Sequence, residues 1–221
     1  MLKIKGLITI AFIILSFSLS AQEEQIGNWL MYFGSNKLSD KLSIHSEVQY
    51  RHHTVTPVNV EQLLLRTGIN YHLASNAILT FGYGYVAGHV YKSEQTTPES
   101  EESRIWQQFI LTNKVSRVKF EHRYRLEQRW VNGNYKNRFR YRLMLFIPIN
   151  KPVIEKGTLF LGLYDEVFVN DRKTFFDRNR LYGALGYQLS KTTSFQAGVM
   201  QQQVSNSNKF HVQFAIAYNP D

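Results

Sequence analysis

The chain has 221 residues, a formal charge of +9, no cysteine, and 43% hydrophobic residues. Without cysteine there is no disulfide framework and no thiolate metal site, so stability must come from packing, hydrogen bonds or a bilayer. A basic balance raises nucleic acid as a partner, but the cations alternate with apolar residues and do not gather in a patch, which argues against it.

At the N-terminus, Lys3 and Lys5 precede an apolar run from Leu7 to Leu19, and Ser18, Ser20 and Ala21 offer a cleavage site after Ala21. This is the three-part layout of a secretory signal peptide, and the run is too short for a spanning helix. Residues 1–21 are therefore expected to be removed, which lowers the formal charge to +7, and 22–221 are expected to form one exported domain. Export also argues against nucleic acid. No cysteine stands next to the cleavage site, as a lipoprotein would require.

From there the sequence keeps period two. Leu42, Ile44, Val48 and Tyr50 alternate with Ser43, His45, Glu47, Gln49 and Arg51. Leu63, Leu65, Ile69, Tyr71 and Leu73 share one face, with Gln62, Arg66, Gly68, Asn70 and His72 on the other. Val118, Phe120, Tyr124, Leu126 and Trp130 oppose Lys119, Glu121, Arg123, Arg125, Glu127 and Arg129. Phe139, Tyr141, Leu143, Leu145 and Ile147 oppose Arg138, Arg140 and Arg142, and Phe210, Val212, Phe214, Ile216 and Tyr218 oppose His211, Gln213, Ala215 and Ala217. Strict alternation over such lengths is a strand signal that no helix sustains.

Eleven segments are readable, at roughly 28–34, 41–55, 60–74, 77–91, 104–116, 117–131, 137–147, 157–170, 178–190, 194–205 and 209–219. Ile105-Trp106 and the glutamines at 201–203 blur the period in the fifth and tenth. Ser35–Asp40, Ala74–Asn76, Asn113–Arg117, Asn150–Lys156 and Ser190–Ser194 read as mostly short turns. Lys92–Ser103, Val131–Lys136 and Asn170–Asp177 read as longer polar loops. Short turns on one side and longer loops on the other are the pattern of outer-membrane barrels, with the longer loops outside the cell. The expected fold is therefore an antiparallel transmembrane β-barrel of about ten to twelve strands. Bacterial single-chain barrels have even strand numbers, so the segments from 41 onward close as ten. That leaves 28–34 either as an extra strand or outside the wall.

Three features favour lipid over water around this barrel. The segments approach the roughly nine to eleven residues a spanning strand needs. Tyr and Trp gather near strand ends, among them Tyr50, Tyr71, Trp130, Tyr141 and Tyr218, as interfacial girdles require. The last segment is an alternating aromatic strand of the kind the barrel-assembly machinery engages during biogenesis. A soluble secreted β-barrel binding protein is the alternative on this point.

The stretches Glu47–Arg51, Gly82–Tyr85, Glu121–Trp130, Asn137–Leu143 and Asp165–Phe168 resemble the outer-membrane barrel family catalogued as domain of unknown function 2490. The arginine-rich central hairpin is the most specific of them. The resemblance implies a location and a fold but no activity.

On the polar face of that hairpin stand Arg123, Arg125, Arg129, Arg138, Arg140 and Arg142, with Glu121 and Glu127. Pairing around 132–136 would set Arg129 opposite Arg138 or Arg140, and Glu127 opposite Arg140 or Arg142, with Tyr164 and Glu166 arriving beside Arg138 and Arg140 from the next hairpin. Facing like charges are costly unless carboxylates or an anion intervene. The expectation is an ionic network of Arg123, Arg125, Glu127, Arg129, Arg138, Arg140, Arg142 and Glu166 that plugs a narrow lumen. The alternative is a basic pore for an anionic small solute. An envelope-lipid enzyme finds less support: Ser43, His45 and Glu47 lie in a line along one strand, and His72 and His211 have no adjacent serine in sequence. His122 falls on the apolar face, in an interfacial or structural role. No G-x-S-x-G, H-E-x-x-H or phosphate loop is present, and the histidines lack metal-ligand spacing, so no catalytic residue, cofactor or metal is expected.

Overall fold

The computed structural model describes residues 26–220 except 57–58, 93–94, 172–173 and 206, and leaves out the side chains of 91–97; the expected signal peptide lies outside the described residues. Every period-two segment is a strand: β1 (Gly27–Lys37), β2 (Leu42–His52), β3 (Val60–Ala74), β4 (Ala77–Lys92), β5 (Gln95–Val115), β6 (Val118–Val131), β7 (Asn134–Pro148), β8 (Leu159–Asn170), β9 (Phe176–Gln188), β10 (Thr193–Val204) and β11 (Ser207–Tyr218). Each pairs antiparallel with the next, and the sheet closes on itself.

The closure settles the place of residues 28–34. They belong to β1, which pairs antiparallel with β2 from Asn28↔His52 to Lys37↔Ser43 and parallel with β11 from Gly27↔His211 to Gly34↔Tyr218. Eleven consecutive antiparallel strands leave the first and last pointing the same way, so the seam of an odd barrel has to be parallel. The expectation of an even number fails at this one seam.

Two stretches expected as long loops are strand instead. Val131–Lys136 reduces to the two-residue turn Asn132-Gly133, both with positive φ (47° and 79°), the conformation that matches the twist of a hairpin. Lys92–Ser103 lies largely in a β4–β5 ribbon whose pairing runs out to Lys92↔Gln95. The β3 partner of β4 ends at Gly88 and the β6 partner of β5 at Glu102, so this ribbon continues past the wall. Asn170–Asp177 shrinks to a connection at 171–175. The barrel thus has a turn end, with connections at 38–41, 75–76, 116–117, 149–158 and 189–192, and an opposite end that carries the ribbon.

Side chains alternate as the period requires, and the polarity is inverted relative to a water-soluble barrel. Leu65, Phe81, Tyr124, Phe139, Leu181 and Phe214 point outward, with Phe81 61% and Leu181 57% exposed. Arg66, Arg104, Arg125, Glu127, Arg138 and Glu166 point inward and are buried. Eleven strands enclose more space than the roughly eight that ordinary side chains fill, so the axis is reached by the longest and broadest ones, Arg, Trp and Phe. Two glycines make room for the largest. Gly68 and Gly82 face each other across β3–β4, and a Cβ on Gly82 would fall 2.5 Å from the Trp106 indole.

Candidate functional site

Glu127, in the second half of β6, points into the lumen and has 0% exposure. Arg138, its direct partner in the β6–β7 ladder, donates from Nε (2.9 Å) and Nη2 (2.6 Å) to Oε2. Arg140 donates from Nη1 to Oε1 at 2.7 Å, and Arg66 reaches the same oxygen at 3.5 Å. Arg125 and Arg104 stand at 3.9 and 4.0 Å. Arg140 then bridges to Glu166, whose Oε1 also accepts from Arg123 at 2.7 Å. Glu47 takes both its oxygens to Arg66 Nη1 at 2.8 Å, and Glu102 binds Arg104 and Arg129. Arg142 pairs with Glu121 at 2.5 Å.

Carboxylates do not hold all these cations. Arg51 donates to Gln49 and Gln62, Arg125 to Gln108, and Arg180 to Gln202. Aromatic faces supply what is missing, since a ring's negative face attracts a guanidinium most strongly where water is excluded. Phe168 has Arg140 at 4.3 Å and Arg180 at 4.8 Å; Trp106 has Arg125 at 4.9 Å and Arg66 at 5.5 Å; Trp29 has Arg51 at 3.9 Å and Arg180 at 4.9 Å. Trp106 and Phe168 have almost no exposure, so these rings are buried together with Glu127 and its arginines.

Below this layer, toward the turn end, lies a cavity of about 840 Å³. Asn76, Arg117, Val153 and Asn219 stand at its mouth, while Arg66, Arg125, Arg140 and Glu166 are among its deepest lining. Neither Glu127 nor Arg138 borders it, whereas their neighbours Arg66, Arg140 and Glu166 do.

All eight residues of the expected network point inward and take part in ionic or amide contacts, but the register differs from the one expected. The tight Asn132-Gly133 turn sets Glu127 opposite Arg138, Arg129 opposite Lys136, and Arg123 opposite Arg142. Arg129 and Arg142 therefore pair outside the Glu127 hub, with Glu102 and Glu121. Sequence reasoning missed Glu47, Arg66, Glu102, Arg104 and Arg180, and it missed the aromatic plates. The signal was there: Trp106 blurs the alternation because it lies on the charged face, two residues from both Arg104 and Gln108. It also missed a serine beside His72. Ser43 Oγ lies 2.9 Å from His72 Nε2 across β2–β3. That hydroxyl is buried and shared with Ser35 and Asn70, and among the described residues no carboxylate orients His72. His122, on the outer face, meets the Tyr141 hydroxyl at 2.9 Å.

No curated protein matches the chain, and no solved structure matches it. The model of the family described as Protein of unknown function (DUF2490) matches residues 26–213, which takes in every strand from β1 to β10 and the first part of β11. The chain belongs to that family.

Proposed function

We propose that the protein is an integral outer-membrane barrel, delivered by its signal peptide and the barrel-assembly machinery, whose lumen is closed at mid-depth. Its role is structural and non-conducting, and the turn end faces the periplasm. The carrying observation is the inverted polarity: large apolar side chains exposed all around the wall, with arginines and glutamates buried within. A water-soluble monomer rarely shows a contiguous apolar surface of that extent, whereas a bilayer solvates it. The closed ladder also suits lipid, because no strand edge is left with unpaired backbone groups.

Fractionation of envelopes tests the location. The protein is expected in the outer membrane, extracted only by detergent, and its migration on a gel should change on boiling. Recovery as a soluble periplasmic protein after gentle lysis would overturn the proposal. The basic cavity favours a second reading, an anion pore. Planar-bilayer recording separates the two: a silent bilayer supports closure, and steady anion-selective current replaces it with the pore.

A further inference from the structure

The cavity at the turn end has two unlike walls. Nine cationic side chains and only three carboxylates line it, so its polar wall carries a large positive excess. The cations concentrate on β5, β6 and β7, where Lys114, Lys119, Arg123, Arg125 and Arg142 all border the space. Beside them the lining turns apolar, with Met144 and Phe146 at the turn-end half of β7 and Phe160 and Tyr164 from β8, and Met31 and Phe33 from β1 line the far side. Part of this lining packs on a buried cluster of Trp29, Met144, Tyr182, Ala184 and Met200.

Arg123 and Arg142 are only partly compensated. They stand directly opposite in the β6–β7 ladder, where like charges repel. Glu166 takes one hydrogen bond from Arg123, and Glu121 takes one from Arg142. The Nε of each is buried with no hydrogen-bond partner among the described residues. Two neighbouring guanidinium groups with spare donors match the oxygens of a carboxylate or a phosphate monoester. The apolar arc beside them suits a hydrocarbon chain, and the volume falls within the roughly 300–1,000 Å³ of small-molecule sites.

We propose that this cavity binds a single-chain anionic amphiphile, entering from the turn end, with its headgroup between Arg123 and Arg142 and its chain along Met31, Phe146 and Phe160. The site requires the closed lumen argued above, since the network forms its floor. Its orientation toward the periplasm comes from the same reading.

Trp29 lines the cavity, while Trp130 lies on the outer face, so a Trp130→Phe protein in non-ionic detergent reports on the interior. 12-Bromododecanoate should quench its fluorescence saturably. The matching bromoalcohol and alkyltrimethylammonium should require at least tenfold higher concentration. Dodecyl phosphate added as a competitor tells a fatty-acid site from a lysophospholipid-like one by whether it displaces the carboxylate more or less readily than dodecanoate does. Arg142→Gln should weaken binding about tenfold, and Lys119→Gln serves if that variant loses its heat-modifiable migration. Met31→Glu should abolish binding by placing a carboxylate on the chain's path. Equal quenching by the acid and the alcohol, or quenching that ignores these substitutions, would overturn the proposal. Because heat-modifiable migration is scored on the same samples, a failed ligand site remains distinguishable from a failed membrane assignment.

Discussion

Glu127 shows what a single buried carboxylate does in such an interior. Its two oxygens receive Arg138 and Arg140 at 2.6–2.9 Å, with three more guanidinium groups within 4.0 Å. Replacing it with Gln removes the negative charge but keeps the volume, and leaves those cations facing one another without water. Removing one partner of a buried ion pair costs about 3–5 kcal/mol, and Glu127→Gln is expected to lower unfolding stability by that amount. Urea titration followed by gel mobility measures it. Glu155→Gln is the control: its partner Lys151 lies at 3.0 Å in an exposed connection, where such a pair contributes about 0–1 kcal/mol. Comparable losses in both variants would mean that the lumen is wet. The outer wall responds to charge in the opposite sense. Leu65 is exposed on the outward face, and Arg there should cost about 2–4 kcal/mol in a bilayer. Thr112 points into the mouth of the cavity, and Thr112→Arg should cost little. Asn70 and Gln213 also point inward but are packed, Gln213 against the Met200 sulfur, so neither would accept an arginine freely. Equal tolerance at Leu65 and Thr112 in vesicle-folded protein would refute the inside–outside assignment.

At the scale of the strand and the hairpin, alternation was legible because it is a local property: Phe139 to Ile147 against Arg138 to Arg142 states both the element and its two faces. Register was not legible, because it depends on which residues make the turn, and a shift of two residues keeps every side chain on its face while changing every partner. Asn-Gly at 132–133 carried the missing information, and reading it as part of a longer loop moved Glu127 away from Arg138. The candidate site was accordingly legible as a set of residues on one hairpin, but not as a network across the lumen. Glu102 and Arg104 join it from β5 across the neighbouring β5–β6 ladder, and Glu47 and Arg66 join it from β2 and β3 across the closed sheet, which no local pattern encodes. The turn itself is testable. Gly133 has φ of 79° and Asn132 has φ of 47°, conformations that cost a β-branched residue far more than Gly or Asn. Gly133→Val should therefore destabilise the barrel by roughly 1–2 kcal/mol, read from the same urea transition. A Cβ at Gly133 meets nothing within 4 Å, so the loss would report backbone strain and not a clash. An unchanged transition would mean the turn relaxes without disturbing register.

For the whole molecule, the odd strand number makes β1 the element on which closure depends. Without it, β2 and β11 run antiparallel, and ten strands could in principle close by ordinary pairing. The interior opposes that alternative. Trp29 of β1 is buried, stacks on Arg51 and Arg180, and packs beside the His211 ring at 4.8 Å. Neither Arg51 nor Arg180 forms a salt bridge among the described residues, so losing Trp29 takes a ring face from two lumen cations held otherwise by amides and, for Arg180, by Phe168. A narrower ring would also crowd Trp106 and Phe168, whose rings already hold five arginines between them within 5.5 Å. Deleting residues 26–37 is therefore expected to abolish heat-modifiable migration, where a Trp29→Phe chain keeps it with reduced stability. Cysteine chemistry gives a direct view of the seam, because the chain has no cysteine of its own. Leu30 and Phe214 are partners in the parallel ladder and both point outward, so Leu30→Cys with Phe214→Cys should be joined by a short thiol-reactive cross-linker in the folded barrel. Leu30→Cys with Leu181→Cys on β9 should not, since β10 and β11 stand between them. A ten-stranded barrel that forms without β1, or a Leu30–Phe214 pair that resists cross-linking while the barrel migrates as folded, would remove the parallel seam, and the arrangement of the lumen would have to be rebuilt without Trp29.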